Sequence, residues 1–155
     1  NLALSSKNGE AWFYSRGDNQ GCNSLYPQRD GERTVETVRC GTLDHWCAEN
    51  KINRILFLKI DTEGNEVEVL YGARELLEAR KIDMIQFEYT HYWIPPHRFL
   101  VDVFDLLTPL DYRIGKITWK GVQFYPQWHV DLETFVEGNY LAVKPEHAHV
   151  LPVVE

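Results

Sequence analysis

The sequence predicts an α/β fold with a mainly parallel sheet, on the evidence of three neighbouring segments. Residues 54–61, "RILFLKID", form a near-continuous apolar run, which is typical of a strand covered on both faces. Residues 65–80 then place apolar side chains at steps of three and four, the period of a helix. Residues 81–89, "KIDMIQFEY", read as a second buried strand. A strand, a helix and a strand in this order are the repeating unit of a parallel sheet.

The N-terminal part of the chain predicts a hairpin, a loop and a further strand. "NLALSSKNGEAWFYS" reads as a strand end, a turn at Lys7–Gly9 and a second strand over Glu10–Tyr14, because Asn and Gly tolerate positive φ. Residues 16–33 are rich in Gly, Asp, Asn, Gln and Pro and predict a surface loop. "TVETVRC", residues 34–40, has the alternation of a strand. Thr42 is a candidate N-cap for the short helix that follows.

The C-terminal part continues the alternation of helix and strand. "RFLVDVFDLLTPL", residues 98–110, repeats the helical pattern and ends near a proline. "YRIGKITW" (112–119) and "GNYLAVKP" (138–145) read as strands. Residues 120–137 between them are aromatic-rich and predict an irregular insert. Residues 146–155 predict a tail.

Length and composition indicate one globular domain, which we assign to residues 1–145. The net charge of −7 argues against a nucleic-acid or anionic membrane partner. The longest apolar run, Ile55–Ile60, is interrupted by Lys59 and is too short to span a bilayer. The cysteines form no CxxC pair and predict reduced thiols in a cytoplasmic protein. They are Cys22, Cys40 and Cys47.

Acidic residues crowd the end of the first covered strand, in "DTEGNE". Capping explains part of this pattern, since Asn65 and Glu66 suit the N-terminus of a helix. Capping does not explain Asp61, because a carboxylate that closes a buried strand is costly to desolvate unless it has a partner. A ligand with positive charge or hydrogen-bond donors would supply that partner.

A second polar cluster, "QFEYTHYWIPPH", follows the next strand. Glu88 ends the strand, and His91 and His97 lie in the loop, where a Glu and a His could act as general bases. The alternative is that the loop aromatics pack on the sheet edge and the histidines are solvated. A third alternative is a Mg²⁺ or Ca²⁺ site. Its ligands would be Asp61, Glu63, Glu88 and His91.

Motif searches narrow the chemistry further. The chain has no GxGxxG loop or P-loop, so a glycine-rich phosphate cradle is absent from this sequence. It has no GxSxG nucleophile motif and no HExxH or EF-hand spacing. Nucleophilic catalysis is therefore poorly supported.

"LFLKIDTEGNEVEVLYGARELL" resembles the signature of FkbM-type S-adenosylmethionine-dependent methyltransferases, in which a strand runs into K-I-D-x-E-G-x-E and then a helix beginning V-L-x-G-A. "LALSSKNGEAWFY", "GCNSL", "TLDHW" and "IQFEY" flank it in the same order, so the resemblance covers most of residues 2–145. The matching residues are Lys59, Ile60, Asp61, Glu63, Gly64, Glu66, Val69, Leu70, Gly72 and Ala73.

The resemblance implies a Rossmann-like class I methyltransferase sheet of seven strands. This chain would hold strands four to seven, preceded by the N-terminal hairpin, as the C-terminal portion of a longer protein. The glycine-rich cofactor loop and the acid that holds the ribose would then lie upstream of Asn1.

The resemblance also implies roles for individual residues. The cofactor would be S-adenosylmethionine, with Ala3, Leu4 and Ser5 on its adenine side and Asp61 near its methionine end. The acceptor would be surrounded by Glu63, Glu66 and Tyr89. The candidates for removing a proton from the acceptor are Asp61, Glu88 and His91.

Three functions are therefore weighed. The first is methyl transfer to a hydroxyl of a sugar or another small metabolite by the full-length protein. The second is a non-catalytic α/β module that forms a homo-oligomer through an exposed sheet edge. The third is a metal-dependent hydrolase built on the carboxylates.

Overall fold

The computed structural model describes residues 1–17, 21–27, 33–149 and 151–154, and these form a mixed α/β structure. The strands are β1 (Ala3–Leu4), β2 (Gly9–Ser15), β3 (Thr34–Gly41), β4 (Ile55–Ile60), β5 (Ile82–Tyr89), β6 (Arg113–Thr118), β7 (Gly121–Tyr125) and β8 (Gly138–Val143). The α-helices are α1 (Leu43–Glu49), α2 (Glu66–Tyr71), α3 (Arg74–Glu78), α4 (Leu100–Leu107) and α5 (Pro145–Ala148). Short 3-10 helices cover His91–Trp93, Thr108–Leu110 and Val130–Leu132.

The first three strands form a separate sheet in the order β1-β3-β2. The predicted hairpin between the first two strands is wrong, because β3 lies between them, parallel to β1 and antiparallel to β2. A contact of Asn8 helps to explain why the turn places β3 beside β1. The Asn8 side-chain oxygen accepts a hydrogen bond from the Thr42 backbone N–H at 3.1 Å, so the turn is anchored beyond the end of β3. Turn chemistry predicted that the chain reverses direction, but it did not predict that β3 lies between the two strands.

The other five strands form a sheet in the order β4-β5-β8-β6-β7. Strands β4 and β5 are parallel and are connected through α2 and α3, as predicted. The remaining three pairs are antiparallel, so the prediction of a mainly parallel sheet is wrong for the described strands. The prediction that β4 is covered on both faces is wrong. It lies at the edge of the sheet, and its Leu56 and Phe57 side chains are 65% and 50% exposed.

The helix predicted over residues 65–80 is divided into α2 and α3. The division falls at Gly72, where an added Cβ would lie 2.1 Å from the backbone oxygen of Ser5. The Asp44 carboxylate accepts hydrogen bonds from the backbone N–H groups of Glu75 and Leu76, at 2.8 and 3.0 Å, which satisfies the start of α3. The predicted Thr42 cap of α1 is confirmed, since its hydroxyl accepts from the His45 N–H at 3.1 Å.

The main apolar core joins helices α1 to α4 to strand β5. Its largest fully buried side chains include Trp93, Tyr89 and Phe87. A smaller cluster on β7, β8 and α5 contains Val122, Leu141, Val143 and Ala148. The two clusters hold β5 and β8 in the interior of the sheet and so fix where the carboxyl end of β5 lies.

Two predicted irregular regions contain regular structure. The insert 120–137 holds β7 and a 3-10 helix, and its Glu133 carboxylate accepts from the backbone N–H groups of Leu100 and Val101. The predicted tail 146–155 includes most of α5 and a segment that pairs with β7 at Val122. Of the predicted loop 16–33, residues 18–20 and 28–32 lie outside the described residues, as do residues 150 and 155 of the tail.

All helices in the described part of the chain are too short or too polar to serve as membrane-spanning segments.

Candidate active site

A cavity of about 500 Å³ lies between β1 and the carboxyl end of β4. This volume falls in the range of small-molecule binding sites. Leu4, Phe13 and Leu58 contribute apolar walls, and Asp61 contributes a carboxylate. The complete lining is Leu2, Ala3, Leu4, Phe13, Asn23, Ser24, Leu25, Leu58, Lys59, Ile60, Asp61, Thr62, Asn65 and Val69.

Asp61 follows directly after β4 and meets Lys59 at 2.5 Å, from Lys59 Nζ to Asp61 Oδ2. Both side chains remain about half exposed, and both line the cavity. The ion pair therefore does not bury the carboxylate or turn it away from the opening. Asp61 stays accessible to a ligand in the cavity.

Three carboxylates meet beside the cavity. Asp61, Glu63 and Glu88 each place one oxygen within 4.8 Å of the others. Oxygens at this spacing could also surround a divalent cation. His91, which the sequence grouped with them, is exposed on the neighbouring 3-10 helix and stacks on Tyr92, with ring centroids 4.3 Å apart.

Crowding of these carboxylates changes their acidity. Burial, together with the negative charges of nearby carboxylates, raises the pKa of Glu88 to about 7, although Lys59 opposes the rise. The carboxylates are Asp61, Glu63 and Glu137. Burial also raises the pKa of Glu63, again reinforced by Asp61. Glu88 thus exchanges a proton near neutral pH, which is where an efficient general base titrates.

The Asp61–Gly64 segment, here called the acid loop, is held by Glu66. One carboxylate oxygen of Glu66 accepts from the Thr62 N–H and hydroxyl at 2.7 and 3.0 Å, and the other accepts from the Gly64 N–H at 3.0 Å. Its side chain lies in the interior, where the residue is 1% exposed. Glu66 therefore binds the backbone and the Thr62 hydroxyl of the acid loop, and we do not retain the prediction that it contacts the acceptor.

Two further buried polar residues attach the acid loop to the cavity wall. Asn65 Nδ2 donates to the Leu4 carbonyl oxygen at 2.7 Å, and the Ser24 hydroxyl donates to the Glu63 carbonyl oxygen at 2.7 Å. Asn65 occupies the N-cap position of α2, but its side chain makes no capping hydrogen bond. The side chain expected to cap the helix thus connects the loop to β1 instead.

Two other predicted residues lie away from the cavity. Tyr89 is fully buried, and its hydroxyl contacts Glu133 at 2.9 Å and the Phe135 N–H at 3.1 Å, so we do not retain the prediction that it contacts the acceptor. Ser5 continues from β1, but its backbone N–H pairs with Gly41 and it is not part of the cavity lining. Ala3 and Leu4 do line the cavity.

Sequence reasoning missed three contributors to the site. Ser24 lies in "GCNSL", which was recognised as a flanking segment but given no role. Phe13 on β2 and Glu137 before β8 reach the site only through the folding of distant segments. No local spacing links either of them to Asp61, so only the three-dimensional structure could identify them.

Comparison with known protein families identifies the family of this chain. Residues 2–114, more than half of the chain, match the family model described as the methyltransferase FkbM domain. Searches of curated proteins and of solved structures found no match. The matched range includes the cavity, the acid loop and Glu88.

Proposed function

Because the chain belongs to the FkbM methyltransferase family, we propose that it transfers a methyl group from S-adenosylmethionine to a hydroxyl of a sugar or another small metabolite. The observation that carries the proposal is a cavity of about 500 Å³ with the Asp61 carboxylate at its wall and Glu88 beside it. The role is proposed for the full-length protein.

The cavity suits the chemistry of the cofactor. S-adenosylmethionine would supply an electrophilic methyl group on a positively charged sulfur. Asp61 offers a negative charge to that cation at the carboxyl end of β4, and the apolar side chains of Leu4, Phe13 and Leu58 offer a surface for a planar base. Asp61 would exchange part of its contact with Lys59 for contact with the ligand.

Glu88 is the residue best placed to accept a proton. When the methyl group passes to the acceptor oxygen, the hydroxyl proton must leave, and the Glu88 carboxylate would take it. A pKa of about 7 makes Glu88 a stronger base than an ordinary carboxylate while part of it stays ionised at neutral pH. Methyl transfer otherwise depends chiefly on alignment, which a fixed cavity wall supports.

The sheet also fits the proposal. In doubly wound α/β sheets, ligands bind beyond the carboxyl ends of parallel strands. Asp61 follows the carboxyl end of β4, and Glu88 lies near that of the parallel strand β5. We therefore propose that the parallel β4–β5 unit belongs to a Rossmann-like methyltransferase sheet.

Calorimetry with two ligands tests the role of Asp61. S-adenosylhomocysteine lacks the methyl group and the positive charge of S-adenosylmethionine but shares the rest of its structure. Asp61→Asn is expected to weaken S-adenosylmethionine binding by about tenfold, equivalent to about 1.4 kcal/mol, and to leave S-adenosylhomocysteine binding nearly unchanged. Asp105→Asn, at an exposed position on α4, is the control for the change in net charge.

Equal losses for both ligands would show that Asp61 does not recognise the cation. Absence of binding by the unaltered full-length protein would count against the proposed function.

A second candidate is self-association through β4. It is favoured by the exposed Leu56 and Phe57 side chains on a strand at the edge of its sheet. Association and methyl transfer are compatible, since the cavity lies at the carboxyl end of this strand.

A further inference from the structure

Three buried polar side chains hold the acid loop or the residue that follows it: Ser24, Asn65 and Glu66. They are among the few buried polar residues in the described part of the chain, and each is at most 2% exposed. Each makes a hydrogen bond to the backbone of the loop or of the adjoining strand β1. This concentration of buried polar groups marks the loop as a segment whose conformation is held by side chains.

Glu66 makes the largest contribution. Both of its carboxylate oxygens accept hydrogen bonds from the loop, one from Thr62 and the other from Gly64. A carboxylate that served only the helix N-terminus could stay in solvent, where desolvation costs nothing. Burial instead places Glu66 beneath the loop, where it fixes the backbone on both sides of Glu63.

We propose that Glu66 is a positioning residue, whose buried carboxylate fixes the acid loop and thereby holds Asp61 at the wall of the cofactor cavity. The proposal rests on the proposed function for its reference to a cofactor. Glu66 itself does not line the cavity, so it acts on the ligand through the loop.

Glutamine cannot reproduce this arrangement. The carboxylate accepts hydrogen bonds on both oxygens, whereas the amide has one carbonyl oxygen and one donor group. In Glu66→Gln the amide can accept from Thr62 or from Gly64, and the N–H on the other side is left facing another donor. The substitution preserves side-chain shape, so its effect isolates the hydrogen bonding.

Hydrogen exchange provides a readout that needs no ligand. In Glu66→Gln, at least one of the Thr62 and Gly64 amide protons is expected to exchange with solvent about tenfold faster or more, because glutamine can accept from only one of the two N–H groups. Amide protons of β5 should keep their protection. Glu68→Gln is the matched control, since it alters a largely buried carboxylate of the same helix that pairs with Arg98 instead of the loop.

Ligand discrimination provides the second readout. Glu66→Gln is expected to lower the ratio of S-adenosylmethionine to S-adenosylhomocysteine affinity toward that of Asp61→Asn, while Glu68→Gln keeps the original ratio. A change in overall stability alone would weaken both ligands together and would leave the ratio unchanged. Normal exchange of both the Thr62 and the Gly64 amide, or an unchanged affinity ratio, would overturn the proposal.

Thr62→Val is a milder variant for the case in which Glu66→Gln does not fold. It removes only the hydroxyl bond to Glu66, and faster exchange at Gly64 is still expected. Unchanged exchange there would also overturn the proposal. If the unaltered full-length protein binds neither ligand, the proposed function fails, while the exchange experiment still decides whether Glu66 fixes the loop.

Discussion

At the scale of single residues, Glu63 and Gly64 have consecutive positive φ angles of 52° and 108°. Only Gly64 also meets a backbone obstruction, since an added Cβ would lie 2.3 Å from the Tyr92 carbonyl oxygen. The chain must turn sharply here to pass from the end of β4 into α2. A glycine is therefore required at position 64 by both its conformation and its surroundings.

Gly64→Ala is expected to destabilise the protein by about 2 kcal/mol or more, because it adds a steric clash to an unfavourable φ. Urea unfolding at constant pH measures the change. Gly17→Ala is the matched control, since Gly17 has a φ of 98° but nothing within 4 Å of its added Cβ. If Gly64→Ala loses no more free energy of unfolding than Gly17→Ala, then Tyr92 can move to accommodate the added Cβ.

Neighbouring residues in one strand show how far sequence reasoning reached. The carboxylate cluster was predicted from acids that follow two adjacent strands, and the structure brings Asp61, Glu63 and Glu88 together. Tyr89 follows Glu88 directly, but successive side chains of a strand point to opposite faces, so Tyr89 enters the core. The sequence identified the end of the strand without fixing which face is buried.

At the scale of elements, β5 carries a carboxylate near each end. The one near its amino end, Asp83, is buried. Asp83 is 1% exposed and contacts Arg54 and Lys144, each at 2.7 Å. Burial raises the pKa of Asp83, but hydrogen bonds from the two cations outweigh it and hold the pKa below its ordinary value. The same strand thus has an acid stabilised in its charged form near one end and Glu88, whose pKa is raised, near the other.

Asp83→Asn is expected to lower the free energy of unfolding at pH 7 by about 3 kcal/mol, because it leaves Lys144 buried without its ionic partner. Chemical denaturation measures this loss, with Asp105→Asn as the exposed control. The lowered pKa means that the unfolded state binds protons first on acidification. The contribution of Asp83 is therefore present above about pH 3.9 and disappears as the pH falls through the folded pKa.

An equal loss of unfolding free energy in the control would contradict this account. So would a difference between Asp83→Asn and the original protein that persists unchanged as the pH falls well below about 3.9.

Elements with their own periodic signal lie where the sequence predicted them. Strands β3 and β5 and helices α1 and α4 each have a clear apolar period or a capping residue. The predictions that failed concern which strands pair with each other and where a helix is interrupted. The insertion of β3 between β1 and β2 depends on segments about thirty residues apart. The division of α2 from α3 depends on contact with Ser5 and on capping by Asp44.

At the scale of the whole molecule, the two edges of the larger sheet differ. The backbone of Val122 on β7 pairs with Pro152 and Val154, at 2.7 and 3.0 Å, so this edge is partly covered. At the other edge, β4 pairs with β5 alone among the described strands. An uncovered strand with exposed apolar side chains is a surface on which another strand can add.

We predict that the chain forms dimers or larger assemblies through β4. Light scattering over a series of protein concentrations should show association that Leu56→Lys reduces, since a charge on an edge strand opposes pairing. Trp119→Lys is the control, because this 90% exposed side chain lies at the β6–β7 turn, beside the other edge. A monomer at every concentration, or equal behaviour of the two variants, would contradict the prediction.

The order of strands in the sheet was beyond what the sequence could provide. Alternation of strands and helices predicted an α/β class, but β8 enters between β5 and β6 and runs antiparallel to both. That position is set by pairing with β5, about fifty residues earlier, and no local pattern encodes it. The family signature was short and continuous, and so could be recognised without the topology.

The close approach of Ser5 to Gly72 links the position of β1 to the boundary between α2 and α3. Strand β1, which forms one wall of the cavity, ends against a backbone that carries no side chain at residue 72. Any larger residue there would have to push that wall outward or the helix inward. Variation at a site with no ligand contact could therefore change which molecules fit, and surveys of specificity confined to the lining would overlook it.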